Sequence, residues 1–221
     1  MRSKPLDAYD AIKELIASRA LNPGQKLNYQ DLSKMIGLSK TPITNALSRL
    51  QNEGFVDYEA NKGFRIRQIN EVEISELFAI RMDLECFNIR NAIENLDPNR
   101  LQRLQNKFNL YAGYKPSYTD RKKITLDLDF HLEIAQIGGN SYSIMFSKII
   151  IEHIFYRYRL EQGVEHRRDM VELEHARIME CIAERDTRGA TGQMKKHLKA
   201  LHGLMLQYFK DIGRSSTIQF Y

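Results

Sequence analysis

The sequence predicts a mainly α protein in two parts, a small unit of three short helices closed by a β-hairpin and then an all-α antiparallel helical bundle. Three observations predict it. Apolar residues recur at helical spacing over most of the chain, two short alternating segments stand alone near residue 60, and the positive charge gathers at one end. Of the net +5 carried by 221 residues, residues 1–67 hold 11 Lys or Arg against 7 Asp or Glu, which leaves 22 against 21 for the remainder. A basic module on a near-neutral body suits a partner rich in phosphate. With 43% hydrophobic and 28% charged residues the chain can bury a core, which excludes a disordered tail. No run approaches the ~18 apolar residues of a membrane span, and Met1-Arg2-Ser3-Lys4-Pro5 lacks the apolar run of a signal peptide. A cytoplasmic protein with no membrane partner is therefore expected. Cys86 and Cys181 are too few and too far apart for a disulfide framework or a Cys-based zinc site.

The first helix is expected over about Leu6 to Ser18, where Leu6, Tyr9, Ile12, Leu15 and Ile16 share a face, and Asn22-Pro23-Gly24 turns the chain. Asn28 is a natural N-cap for a second helix that carries Asp31 in its first turn and buries Leu32, Met35 and Ile36. Gly37 stops it, and after Leu38, Ser39 caps a third helix that tolerates Pro42 in its first turn. Ile43, Ala46, Leu47 and Leu50 form the inner stripe, and Gly54 ends it. Phe55 to Tyr58 and Phe64 to Arg67 then alternate as two strands joined by a loop containing Gly63. This order is a winged helix-turn-helix, whose third helix enters the major groove while its N-terminus and the wing grip phosphates. The outward polar face offers Ser39, Lys40, Thr41, Thr44, Asn45, Ser48 and Arg49 to bases and phosphates, with Gln30 and the wing residues Asn61, Lys62 and Gly63 beside them.

Residues 6–67 resemble the DNA-binding domain of the GntR family of bacterial transcriptional regulators. The resemblance is carried by Pro23-Gly24 with Leu27, Leu32 before Ile36-Gly37-Leu38-Ser39, Thr41-Pro42-Ile43, Ala46-Leu47, Arg49-Leu50, Glu53-Gly54 and Gly63. Thr44-Asn45 stands where the family usually places Arg-Glu, and Lys40 where Arg is common. The family's usual operator sequence is therefore not implied, and phosphate contacts are expected to supply much of the affinity, with steep salt dependence.

After a linker at 68–72 the pattern is helical, with helices expected at about 73–95, 98–113, 119–137, 142–161, 167–185 and 188–212, followed by a loose tail at 213–221. Pro98 opens one helix and Gly138-Gly139-Asn140 breaks another. All six histidines lie in this part. Asp127 and His131, four apart, share a helix face. His175 and His197 each lie 11 residues from Asp186 in the turn between the last two helices, which sets them level at ~16 Å from it on antiparallel neighbours. Three imidazoles and a carboxylate suit zinc, with nickel, cobalt or manganese as alternatives.

Residues 73–212 resemble the FCD ligand-binding domain of the FadR subfamily, in its six-helix form. Arg81 with Leu84-Glu85, Asp127, Phe130-His131, Gly139-Asn140-Ser141, Glu174-His175, Ala183 with Asp186, and His197-Leu198 carry it. The resemblance implies that Asp127, His131, His175 and His197 hold a metal, and that a carboxylate effector uses its open positions. His153, His166 and His202 match no ligand position. Arg81, Arg157 and Arg159 would neutralise the effector and Tyr156 and Tyr158 shape its pocket; the alternatives are an exposed, snorkelling stretch at 156–159 and a structural Arg81–Glu85 pair. The expected function is a homodimeric, effector-responsive transcription factor on an inverted-repeat operator. Two other readings stay open: a metal-dependent enzyme, which lacks any HExxH, nucleophile elbow or phosphate loop, and a regulator whose metal is structural or is itself the signal.

Overall fold

The computed structural model describes residues 7–118, 120–158 and 167–215, with side chains to residue 210. Arg159, His166 and the last residues of the expected tail, 216–221, lie outside the described residues. The chain divides into two compact units, residues 1–69 with 155–158, and residues 70–154 with 159–221.

The first unit runs α1 (Ala8–Ala17), α2 (Tyr29–Ile36), α3 (Lys40–Asn52), β1 (Val56–Glu59) and β2 (Gly63–Ile66). Asp7 and Asn28 cap α1 and α2 by accepting from the backbone N–H of Asp10 and Gln30. Ser39 occupies the N-cap of α3, yet its hydroxyl makes no capping bond and no acid stands in the first turn. The strands pair antiparallel with Val56 opposite Ile66 and Glu59 opposite Gly63, so Asn61 at φ +64° turns the wing. Lys26 adds a bridge to Arg65, which sets the segment before α2 along the outer edge of the wing. Ile12, Ile16, Leu32, Ile43, Leu47, Leu50, Phe55 and Ile66 close the core, each at most 1% exposed. Met35, expected inside, is 46% exposed; α2 is only eight residues long, and its apolar stripe narrows to Leu32.

Among the described residues the second unit has helices and no strand: α4 (Glu71–Glu94), α5 (Pro98–Gly113), α6 (Arg121–Gly138), α7 (Ser141–Arg157, its last turn counted with the first unit), α8 (Arg168–Ala183) and α9 (Thr187–Ser215). Helix α4 begins two residues earlier than the pattern suggested because Asn70 is its N-cap, accepting from Glu73 N–H. Helix α9 runs through Ser215, so residues 213–215, expected in the tail, are helical. Asp97 and Asp120 cap α5 and α6. Helices α4 and α6 approach closely at Gly138, where a β-carbon would stand 3.1 Å from the Asn88 carbonyl oxygen. Asn95 Nδ2 donates to the Gly138 carbonyl at 3.0 Å, and Arg185 donates to the carbonyls of Ile93, in the last turn of α4, and Leu96, just beyond it, at 2.8 and 2.7 Å. These bonds add partners to carbonyls at the ends of α4 and α6. Cys86, on α4, is buried and Cys181, on α8, half-buried; both thiols are free, and burial pushes both above the ordinary thiol range.

The turn between α2 and α3 depends on Gly37, whose φ of +71° and ψ of +20° form a left-handed C-cap. The Gly37→Ala variant is expected to lose about 1 kcal/mol of stability, read by urea denaturation, because a β-carbon is strained in that region even where space is open.

Candidate metal centre and nucleic-acid interface

Four helices of the second unit supply the candidate metal centre. Asp127 and His131 lie one turn apart on α6, His175 on α8 and His197 on α9, while Arg81 and Glu85 lie one turn apart on α4. His131, His175 and His197 offer ring nitrogens all within 4.8 Å of one another. Their ring centroids are 5.1, 5.4 and 4.7 Å apart, and each residue is at most 2% exposed. Asp127 Oδ1 lies 3.5 Å from His175 Nε2 and Oδ2 lies 3.9 Å from His131 Nε2. The spacing along the sequence thus places all four residues together.

Two carboxylates, which sequence reasoning did not assign to the site, hold the imidazoles from behind. Glu85 accepts from His131 Nδ1, and Glu174 accepts from His197 Nδ1 at 2.8 Å. An ionised carboxylate only accepts, so Nδ1 carries a proton in each ring, and in the neutral imidazole it is Nε2 that keeps the lone pair. His131 Nε2, His197 Nε2 and both nitrogens of His175 are buried with no hydrogen-bond partner among the described residues. Buried ring nitrogens without partners are costly, and a divalent ion accepts lone pairs directed in this way. The donor set fits a metal. The signal for the two glutamates was present in the sequence as Leu84-Glu85 and Glu174-His175, but only the helix rotations show which face each carboxylate takes.

Electrostatics keep the set ready. Burial disfavours the charged form of Glu85, but the adjacent His131 and Arg81 prevail and bring its pKa down to about 2. Burial likewise opposes ionisation of Glu174, and the hydrogen bond from His197 with the charges of His197 and Arg167 outweighs it, so its carboxyl titrates below the usual range. Burial, then the neighbouring His197 and His131, push His175 well below its ordinary value. Burial lowers His197 too, despite the bond to Glu174. Neutral imidazoles and ionised carboxylates are the forms that bind metal. Arg81 Nε donates to Glu85 Oε1 at 2.6 Å, while its Nη1 and Nη2 are buried and have no hydrogen-bond partner among the described residues. The Arg81–Glu85 pair is thus real, and half of the guanidinium fork is left over.

Tyr156 and Arg157 are not brought to this site. They belong to the first unit, where Tyr156 lies 6.2 Å from the Phe55 ring and Arg157 Nη2 donates to the Gln68 carbonyl at 2.7 Å. Ile150, Ile151, His153 and Ile154 are buried on α7. Tyr158 is buried in the same unit, so the snorkelling alternative fails for it and for Arg157, which is 1% exposed. His202 stacks on Phe78 and bonds Ser75 Oγ at 3.0 Å, and His153 is buried on α7 outside the cluster. Lys123, unassigned from sequence, is buried over the Tyr111 ring at 3.6 Å, and its ammonium donates to the carbonyls of Tyr111 and Tyr114 at the end of α5.

In the first unit, Gln30, Ser39, Lys40, Thr41, Asn45, Arg49, Asn61 and Lys62 are exposed, and Thr44 and Gly63 partly so. Lys40 leans over the Tyr29 ring at 5.2 Å. Arg49 stacks on Tyr9 at 3.6 Å and bonds Glu53 at 3.0 Å, so it is tied to α1. The open, acid-free N-terminus of α3 with Lys40, and the edge carrying Lys26, Lys62, Arg65 and Arg67, present donors and cations suited to phosphates. The contributions of Lys26, Arg65 and Arg67 become visible only through the extra bridge to β2.

A winged helix with a basic recognition surface, followed by an all-α second unit, defines a DNA-binding transcriptional regulator. The model of the gntR family of bacterial regulatory proteins matches residues 5–66 and that of the FCD domain residues 76–200. The chain belongs to the gntR family and carries an FCD domain. It is 23% identical over 193 residues to an uncharacterized HTH-type transcriptional regulator, YdhC, of Bacillus subtilis, covering 87% of this chain and 86% of that one. It is 27% identical over 172 residues to the Nta operon transcriptional regulator of Aminobacter aminovorans, covering 77% and 80%. The solved structure of E. coli McbR/YncC superposes with a TM-score of 0.74 at 20% identity, over 95% of this chain and 100% of that one. These relatives are regulators, not enzymes. Among the described residues no helix is long and apolar enough to cross a membrane.

The Glu174→Gln variant is expected to weaken zinc binding by about 10- to 100-fold in a competition titration with a chromophoric chelator, because the amide cannot hold His197 as a carboxylate does. The Lys40→Ala variant is expected to weaken DNA binding evenly across sequences and to reduce the salt slope of log K by about one.

Proposed function

We propose that this DNA-binding regulator is cytoplasmic and homodimeric, and that its operator affinity is set by a small carboxylate-containing effector bound at or beside a divalent metal held by Asp127, His131, His175 and His197. The observation that carries the reading is the set of buried imidazole nitrogens without partners, held in the metal-binding tautomer by Glu85 and Glu174. Three nitrogens and a carboxylate oxygen favour zinc, with nickel, cobalt or manganese as alternatives. When bound, the metal would supply Lewis-acid positions for a carboxylate. The chain's own contribution is the part of the Arg81 fork not used by Glu85, aligned for the bidentate pairing that guanidinium makes with carboxylate. A dimer would present two recognition helices to an inverted repeat, each protomer reading one half-site.

A second reading, a purely structural ion, is favoured by the depth of the cluster, with His175 0% exposed. Replacing His175 and His197 by Ala separates the two: loss of the folded state by circular dichroism supports a structural ion, while intact folding with no effector response in a gel shift supports sensing. Metal analysis of the purified protein should find about one divalent ion per chain. The Arg81→Gln variant is expected to retain DNA binding and to lose the effector-dependent change in operator affinity, which for such coupling is about 5- to 150-fold.

A further inference from the structure

The face of α3 that meets DNA differs in chemistry from a guanine reader. Both cations of the helix are drawn aside. Arg49 lies on the Tyr9 ring and against Glu53, and Lys40 over Tyr29. Between them stand Thr44 and Asn45, Thr44 at the edge of the buried stripe of Ile43, Ala46 and Leu47 and Asn45 well away from it. The Thr44 hydroxyl donates to the Lys40 carbonyl at 2.9 Å, the i−4 bond that fixes a helical threonine in one of its two common rotamers. With the hydroxyl directed back along the helix, the group left for the groove is the methyl. Asn45 is exposed and its amide makes no hydrogen bond to any described residue, so both its donor and its acceptor are available.

In the major groove a methyl contact selects the thymine C5-methyl, and a side-chain amide bonds adenine N6 and N7 at once. We infer that Thr44 and Asn45 are specificity-determining residues that read A·T pairs at two neighbouring positions of each half-site, Thr44 by methyl contact with thymine and Asn45 by a bidentate bond to adenine. Guanine at those positions would present O6 and N7, two acceptors, to the methyl of Thr44 and to an amide that can satisfy only one of them.

The test is selection of binding sites from a randomised duplex pool by the full-length protein, followed by titration of the selected site. Adenine and thymine are expected at the two positions facing the middle of α3. Changing the contacted thymine to uracil, which removes only the methyl, should weaken binding by about fourfold. With Thr44→Ser, which has no methyl, uracil and thymine should bind alike. With Asn45→Ala the preference for adenine should fall by about 5- to 150-fold while affinity for non-specific DNA is kept. Selection of guanine at these positions, or equal binding of uracil and thymine by the unaltered protein, would overturn the inference and leave the DNA-binding function standing. Recovery of no common sequence at all would overturn it together with sequence-specific recognition.

Discussion

Burying three imidazoles in the middle of a helical core obliges the surrounding helices to take definite rotations. Each ring carries two polar nitrogens, and nitrogens left without partners in a dry interior cost several times what a hydrogen bond contributes in water. The chain meets a third of that demand, two nitrogens of six, with carboxylates. Glu85 reaches His131 from α4 and Glu174 reaches His197 from α8, and these bonds act only if α4, α6, α8 and α9 present one shared inner face at one level. Each carboxylate is in turn balanced by a guanidinium, Arg81 for Glu85 and Arg167 for Glu174. The close approach of α4 and α6 at Gly138 and the tie from Arg185 to the end of α4 hold the same registers from a distance.

The winged unit obeys a different economy. Its core is apolar apart from Lys13, which lies over the Tyr9 and Phe55 rings, and Arg157, and its other charges lie outside it and are sorted by partner. Arg49, though exposed, is retained by Tyr9 and Glu53, and the hydrogen bond to that carboxylate raises its pKa. The open start of α3 and the wing edge keep their donors for phosphate. Recognition is thereby divided between an electrostatic perimeter and a centre of small, uncharged side chains, an arrangement in which affinity follows ionic strength while discrimination follows shape and methyl contact.

Much of this was legible in the sequence. Helical periodicity, Asn28, Gly37 and Pro98 locate most helix ends within three residues, because caps and turns are local chemistry; α7, expected to 161, ends at Arg157, and residues 159–166 lie outside the described residues. The metal candidates were legible too, since the i,i+4 pair Asp127 and His131 and the equal offsets of His175 and His197 about Asp186 are consequences of helix geometry alone. What was hidden depends on rotation about a helix axis and on contacts distant in sequence. Glu85 and Glu174 look like ordinary helical acids until the facing histidine is known. Tyr156 and Arg157 look like bundle residues because α7 continues through them, although they belong to the other unit. Ser39 has the right chemistry for a capping bond at α3 and does not make it.

The two thiols carry a separate consequence. With Cys86 and Cys181 both held above the ordinary thiol range by burial, neither is ionised at neutral pH, and the thiolate is the form that attacks oxidants and alkylating agents. The native cysteines therefore make poor redox switches. The same property leaves the chemistry of the chain open to the experimenter: a cysteine introduced at an exposed position of the wing would be the fastest-reacting thiol in the molecule, and a fluorophore placed there would report on the winged unit without first removing Cys86 or Cys181.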